Sequence, residues 1–341
     1  MCGQKRILIT GASGFIGGFL VKEALKRGYD VWAGIRPGSA RENLQDGRIH
    51  FIHLKYDDRE ALTRQLLETV SVSGAWHYVV HNAGITKTLH LADFYTVNAH
   101  YTQVLLDSLV AADCKPEKFL LMSSLGSYGP VGESALRPIC MDDEQRPDSV
   151  YGKSKLQAER FVRSQTAIPY VILRPTGVYG PGDKAYLMEI KSVQAGFDLK
   201  VGMKPQRLSF VYVKDLAVAA FLALENRAVC NTSYLVADGA VYTDCEFSKI
   251  IKEALGKRFV INVRIPFWLC YFACVCSELT GKLRHKAMTL NTDKYKILRQ
   301  RNWACDTRQT CSELGFIPRY NLKEGLAETI RLGKAHGFVN N

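Results

Sequence analysis

A chain of 341 residues that is 47% hydrophobic and 23% charged has the composition of a soluble globular protein with ample core, in one large domain or two. Lysine and arginine outnumber aspartate and glutamate 45 to 33, a net charge of +12, which permits attraction to phosphates, anionic headgroups or nucleic acid but dictates no fold. No long run of like charges and no interleaved basic and aromatic stripe occurs, so nucleic acid is set aside as a partner.

The N-terminus runs almost at once into the strand-like KRILIT, with no room for a charged and then apolar leader, so the chain is expected in the cytoplasm. Its ten cysteines follow no paired framework, as in a protein whose thiols stay reduced. Cys270, Cys274 and Cys276 crowd one apolar stretch without histidine partners, and are read as small hydrophobes; no metal site is expected.

Short apolar runs at 6–10, 30–35, 49–54, 78–83, 118–124 and 170–175 alternate with amphipathic segments such as FIGGFLVKEALKRG and DREALTRQLLETV. Near-continuous apolar strands in a βαβα rhythm predict a doubly wound parallel sheet covered by helices on both faces. Past residue 180 the rhythm loosens. Helices are expected in PGDKAYLMEIKSVQ, VKDLAVAAFLALEN and DCEFSKIIKEALG, and strands in TSYLVAD and RFVINVRI. No linker separates the halves, so 1–180 is read as the dinucleotide-binding domain, with some later segments returning to it. Residues 181–341 are read as mainly a smaller α/β substrate lobe packed on the sheet, and the cleft between the two is where chemistry is expected.

Directly after the first strand, ITGASGFIGGFL places Gly11, Gly14 and Gly17 at the opening of a helix. One glycine suits the tight turn, a second the approach of backbone to a pyrophosphate, and a third the contact of helix with strand. The exposed N–H groups and positive helix end then hold phosphate. The second strand ends in Ile35 and Arg36, where a carboxylate for ribose hydroxyls could have stood. A guanidinium suits a 2′-phosphate, so NADP is the preferred cofactor and NAD remains allowed.

In SVYGKSKLQAER, Tyr151 and Lys155 stand four apart on one helical face, close enough for an ammonium to favour the phenolate. Ser124 ends another apolar strand in LLMSSLGSYG. A dinucleotide loop, a strand-end serine and Tyr-x-x-x-Lys together resemble the extended short-chain dehydrogenase/reductase family, the NAD-dependent epimerase/dehydratase group, over nearly the whole chain. Further matching pieces are HNAG (81–84), VNAHYT (97–102), LRPTGVYGPGD (173–183) and FVYVKDLA (210–217).

The resemblance implies a Rossmann-type fold and, residue by residue, a set of roles. Tyr151 would be the general acid/base, Lys155 would lower its pKa and hold the nicotinamide ribose, and Ser124 would hydrogen-bond the reacting oxygen. Cofactor contacts would come from Gly11, Ser13, Gly14, Phe15, Ile16, Gly17 and Arg36. Ala83, Gly84, Asn98, Tyr151, Lys155, Pro175 and Val178 complete that set. Thr86, Tyr128, Tyr179 and Arg207 are the substrate-side candidates. A homodimer through paired helices is also implied. The chain departs from the family at Lys55, where many relatives have an aspartate near the adenine. Arg207 also lies one place out of register with the arginine that grips a diphosphate in sugar-nucleotide epimerases. The Asp-Glu pair of dehydratases is missing after Ser124.

Between Arg264 and Glu278 no residue is charged. Thirteen residues are too few to span a bilayer. The run is read first as a core helix of the small lobe, and alternatively as a greasy substrate mouth or a peripheral membrane contact through 265–286, supported by Lys282, Arg284, His285 and Lys286. The sterol-dehydrogenase-like and dihydroflavonol-reductase-like branches of the family carry similar segments. The expected activity is therefore interconversion of a secondary alcohol and a ketone on a bulky, lipid- or steroid-like small molecule. A nucleotide-sugar 4-epimerase is the alternative, with a dehydratase or a non-catalytic dinucleotide sensor behind it.

Overall fold

The computed structural model describes residues 4–335 and 337. Its strands run β1 (Arg6–Thr10), β2 (Asp30–Gly34), β3 (Ile49–Ile52), β4 (Tyr78–His81), β5 (Lys118–Met122), β6 (Tyr170–Pro175), β7 (Gly177–Tyr179), β8 (Phe197–Val201), β9 (Arg207–Leu208), β10 (Phe210–Tyr212), β11 (Thr232–Val236), β12 (Tyr242–Thr243), β13 (Ile261–Ile265) and β14 (Asn302–Trp303). The helices are α1 (Phe15–Lys26), α2 (Arg59–Ser73), α3 (Ala92–Tyr95), α4 (Tyr101–Ala111), α5 (Val150–Ser164), α6 (Lys184–Gln194), α7 (Val213–Glu225), α8 (Asp244–Ala254), α9 (Phe267–Leu283), α10 (Thr292–Arg299), α11 (Arg308–Leu314) and α12 (Leu322–Ala335).

Seven strands pair in the order β11-β6-β5-β4-β1-β2-β3, every pairing parallel. Successive side chains of a strand point to opposite faces, and here both faces are covered. Ile7 and Ile9 join a core with α1 and α7 residues such as Leu20, Leu216 and Phe221. Leu8 turns the other way, onto Leu62 and Leu66 of α2, Leu105 of α4 and Ala158 of α5. Strand order reverses between β1 and β4, so the crevice beyond their carboxyl ends is the topological switch point.

Of the elements past residue 180, β11 joins this sheet and α7 and α11 pack on it. The remaining C-terminal elements form a lobe whose core gathers Ile190, Phe210, Tyr212, Phe247, Ile251 and Leu326. Beside that core lie a small β12-β9-β14 sheet and a parallel β8-β13 ladder.

The expected core helix at 265–277 is corrected by the structure. It forms as α9, but of its 17 residues only Cys270, Cys274 and Gly281 are buried. The run is apolar all round, and only one stripe of it meets the rest of the lobe.

Candidate active site

The loop after β1 is shaped by close backbone approach. Gly11 has a φ of +64°, and a Cβ there would lie 2.8 Å from Ala83 and the Asn82 carbonyl; one on Gly17 would lie 2.1 Å from the Gly11 oxygen. A side chain at either position would push the loop off β4. The Thr10 hydroxyl fixes the same junction, accepting from the Ala83 N–H at 3.1 Å and bonding His81 Nδ1 at 2.9 Å. Gly14 precedes α1 without a side-chain cap, leaving first-turn N–H groups available for an anion. Ser13, Phe15 and Ile16 are half-buried around that opening. This cradle fits a dinucleotide pyrophosphate.

Beyond β2, Arg36 is exposed. Its charge acts on Tyr101, whose phenol donates to Asp57 in a short hydrogen bond and is pushed up to about 12, mainly by that bond. The Tyr101 ring stacks on Tyr56 at 4.9 Å. Ile35 and Arg36, not a carboxylate, directly follow β2, and one oxygen of Asp57 accepts from Tyr101. His81 is buried, and its Nε2 has no hydrogen-bond partner. Burial first, and the Lys155 charge second, drive its pKa down to about 3, so it is neutral at any physiological pH.

Ser149 caps α5 by accepting from the Gly152 N–H at 3.0 Å. The buried Asp293, from α10, accepts from the Val150 N–H at 2.6 Å and the Tyr151 N–H at 3.1 Å. Two carboxylate oxygens on free N–H groups at a helix start are favoured by the helix dipole. Down the inner face of α5 run Tyr151, Lys155 and Glu159, one helical turn apart. The half-buried Tyr151 packs edge-on against Phe94, with ring centres 5.9 Å apart. A Cβ on Gly126 would meet both Ser124 Oγ, at 3.3 Å, and the Tyr151 ring, at 3.4 Å. Lys155 is buried and donates to the Met122 carbonyl at 2.9 Å. Its Nζ and Asn98 Oδ1 both face Gly84, at 3.3 and 3.0 Å from a Cβ built there.

The expected depression of the Tyr151 phenol by Lys155 does not appear. Burial pushes the phenol up, and the opposing influence is its hydrogen bond with Ser124. Lys155 is itself depressed to about 8 by burial, with Glu159 opposing. The ammonium is held to a carbonyl, and the two side chains share a face without sharing a proton.

Asn98 sits in a π-helical turn, Thr96–His100, between α3 and α4, a distortion common at functional sites. Its Oδ1 accepts from the Ile85 N–H at 2.8 Å, and its Nδ2 donates to the Ile85 carbonyl and to Ser154 Oγ. It thus ties the loop after β4 to the helix of Tyr151. Glu159 is wholly buried, and burial alone would raise its pKa. Arg174, at 2.8 Å, with Ser123 and Arg163 outweighs that and holds it below the usual carboxylate range.

On the substrate side two expectations are corrected. Tyr128 is fully buried, its hydroxyl donating to the Met141 carbonyl and accepting from Arg174. Tyr179 is fully buried in the lobe core, with its hydroxyl on the Asn321 carbonyl. Neither phenol is free for a ligand. The Arg207 guanidinium donates to the Leu136 carbonyl at 2.7 Å. Thr86 is exposed beside the Ile85–Asn98 junction. Pro175 is buried at the end of β6, and Val178 packs partly buried on the main core. Sequence reasoning missed Thr10, His81, Glu159 and Asp293. An HNAG segment next to a glycine loop could have flagged His81; nothing local marks Asp293, 142 residues from Tyr151.

The model of the NAD dependent epimerase/dehydratase family matches residues 7–237. A UDP-glucose 4-epimerase from Vibrio cholerae is 28% identical, with 95% of this chain and 94% of that protein covered. A 3-beta-hydroxysteroid dehydrogenase from Mycolicibacterium neoaurum is 25% identical, covering 83% of this chain and 75% of the relative. Among solved structures, MoeE5 in complex with UDP-glucuronic acid and NAD superposes with a TM-score of 0.74 at 25% identity, over 98% of this chain and 100% of the other.

Proposed function

The chain belongs to the NAD dependent epimerase/dehydratase family and is an NAD(P)-dependent enzyme; from that premise we propose that it reduces a ketone to a secondary alcohol on a bulky, lipid- or steroid-like molecule. The observation that carries the chemistry is the grouping of Ser124, Tyr151 and Lys155 at the carboxyl ends of the parallel strands, beside the glycine cradle. When bound, the nicotinamide supplies the hydride. Tyr151, its phenol pushed up by burial, keeps its proton at neutral pH and serves as the general acid that delivers it to the substrate oxygen. Ser124 bonds the same oxygen and aligns it. Lys155, fixed by Met122 and facing Gly84, would hold the ribose. Although burial lowers its pKa to about 8, it stays mostly charged at pH 7.

NADP is the preferred cofactor in this reading, supported by Arg36 and by the absence of a carboxylate at the end of β2. The dehydrogenase relative from Mycolicibacterium neoaurum and the exposed apolar face of α9 support an apolar substrate. A nucleotide-sugar 4-epimerase is the second reading, favoured by the nearly full-length likeness to the Vibrio cholerae enzyme. Against it stands Arg207, one place out of register with the diphosphate-gripping arginine and with one nitrogen held by the Leu136 carbonyl. A homodimer through paired helices would be a polar one, since the outward positions of α5 include Lys153, Gln157 and Arg160.

A screen of sterols, lipid ketones and sugar nucleotides with NADPH and NADH separates the readings. Net NADPH oxidation with an apolar ketone is expected. Sugar-nucleotide turnover without net cofactor change would replace the reductase with the epimerase.

A further inference from the structure

The β8-β13 ladder is built inside out. In its register Phe197 pairs with Ile261 and Leu199 with Val263, while Asp198 pairs with Asn262 and Lys200 with Arg264. The apolar pairs face solvent: Phe197, Leu199, Ile261 and Val263 are all exposed. Asp198 and Lys200 are buried, ion-paired to each other, and line a cavity of about 340 Å3 with Lys249, Lys252 and Arg264. An amphipathic ladder normally turns its apolar face to the core. This one spends a buried ion pair, which desolvation makes costly, to keep its apolar face outside.

Helix α9 carries a second exposed apolar surface. The Phe267 ring lies against Gly202, immediately after β8, so helix and ladder adjoin. Trp268, Phe272, Leu279 and Leu283 fall at i, i+4, i+11 and i+15, a single stripe, and are 72%, 62%, 55% and 84% exposed. Phe259, just before β13, is exposed as well. Outward apolar surfaces on two adjoining elements mark an interaction site. Its charge identifies the partner. Within residues 256–290, Arg264 turns inward to Asp244 and Lys282 pairs with Glu278, the one acidic side chain there, which leaves Lys257, Arg258, Arg284 and Lys286 exposed. Two copies meeting through this face would oppose cation to cation, whereas an anionic bilayer surface matches both halves of it. Among the described residues no helix is long and apolar enough to cross a membrane, which leaves a helix lying in the interface plane.

We propose that the α9 stripe and the outer face of the β8-β13 ladder together seat this protein on anionic lipid, aromatic and leucine side chains in the acyl boundary and Lys257, Arg258, Arg284 and Lys286 at the headgroups. The inference goes beyond the reading of an enzyme for a lipid- or steroid-like substrate and uses none of its chemistry, so its test reads no turnover.

The full chain is sedimented with vesicles of phosphatidylcholine alone and of phosphatidylcholine containing phosphatidylserine. Binding to the anionic vesicles at low salt, weak binding to the neutral ones and release by added salt are expected. Trp268→Glu with Phe272→Glu should lower the bound fraction at least tenfold, and Phe197→Glu with Val263→Glu several-fold, while NADPH titration of each soluble variant stays at the wild-type value and certifies its fold. Failure of the wild type to bind anionic vesicles would overturn the proposal. So would binding insensitive to the four substitutions, or a wild-type dimer without vesicle binding that Trp268→Glu with Phe272→Glu turns into monomer.

Discussion

In the seven-stranded sheet Ile7 and Ile9 turn to one helical layer, Leu8 turns to the other, and all three are fully buried. In the β8-β13 ladder the apolar partners stand in solvent while Asp198 and Lys200 are enclosed. Both regions bury an ion pair, but to different ends. Glu159 and Arg174 lock the helix of Tyr151 against β5 and β6, whereas Asp198 and Lys200 leave an outer surface free for a partner. A buried charge is thus a sign of what its element must hold in place, and it must be read with the direction of its apolar neighbours. If this contrast is right, the sheet half should lose chemistry when touched, and the ladder half should lose only its docking.

The sharpest test on the sheet side is Tyr151→Phe. Removing the proton donor should cost on the order of 10²–10⁴ in kcat, with NADPH affinity little changed because the ring and its packing on Phe94 remain. Undiminished turnover would deprive the Ser124–Tyr151–Lys155 grouping of its role. The same assay on the double variant of α9 should give near-normal turnover of a water-soluble substrate, which sharpens the contrast between the two regions.

Next comes Glu159→Ala, which strands the Arg174 guanidinium in the core. Breaking one half of a buried pair costs about 3–5 kcal/mol, read as a lower Tm or denaturant midpoint. The pH dependence has a definite sign. Because the folded-state pKa of Glu159 lies below its usual value, its contribution is present above the unfolded carboxylate range near pH 4.5. It disappears as pH falls through the lower, folded value. The wild type should therefore lose more stability than Glu159→Ala on acidification below that range. Parallel curves would show that the ion pair does not tie α5 to the sheet.

How much of this was readable beforehand follows from the same physics. The strands of the sheet were legible because burial on both faces leaves continuous apolar runs, and KRILIT or YVILRP can be little else. Tyr151, Lys155 and Ser124 were legible as a spacing. The direction of a side chain was not. Tyr128 and Tyr179 carry the composition of a ligand pocket and sit in the core, since a phenol hydroxyl bonds a buried carbonyl as readily as a substrate. Glu159 in AERFVRS looks like a surface carboxylate, because its partner Arg174 lies on another element. FDLKV and INVRI alternate like half-buried strands, and nothing in an alternation says which face meets the core. The 265–277 run failed for the same reason, as apolar content predicts a preference for burial but not the availability of anything to bury against.

A smaller effect is expected at Arg36. Arg36→Glu should weaken NADP by about 10- to 100-fold, the worth of a lost charge-assisted bond of roughly 1.5–3 kcal/mol, and leave NAD within a few-fold. Fluorescence titration with both dinucleotides checks it. Equal losses would remove the argument for 2′-phosphate recognition and leave the cradle formed by Gly11, Gly14 and Gly17 as a general dinucleotide seat.

The least disruptive change falls where the two regions meet. Asp293, on α10 of the lobe, is the cap that accepts from the backbone of Val150 and Tyr151, and α10 is further tied to the same corner through Lys296 and Arg299 on Asp148. Loss of a capping side chain costs about 0.5–2 kcal/mol, so Asp293→Ala should lower Tm modestly. The same change should also reduce kcat several-fold while KM for NADPH holds, because the first turn of α5 carries the phenol and Lys155 lies one turn deeper. Asp293→Asn keeps one acceptor oxygen but sets its NH2 against the second backbone N–H, so it should recover only part of kcat. If both variants lose stability with kcat intact, the lobe merely rests against the sheet. If kcat falls with Ala and returns in part with Asn, the aim of the Tyr151 hydroxyl is set from the lobe, and the two regions are coupled at the atom where the proton is passed.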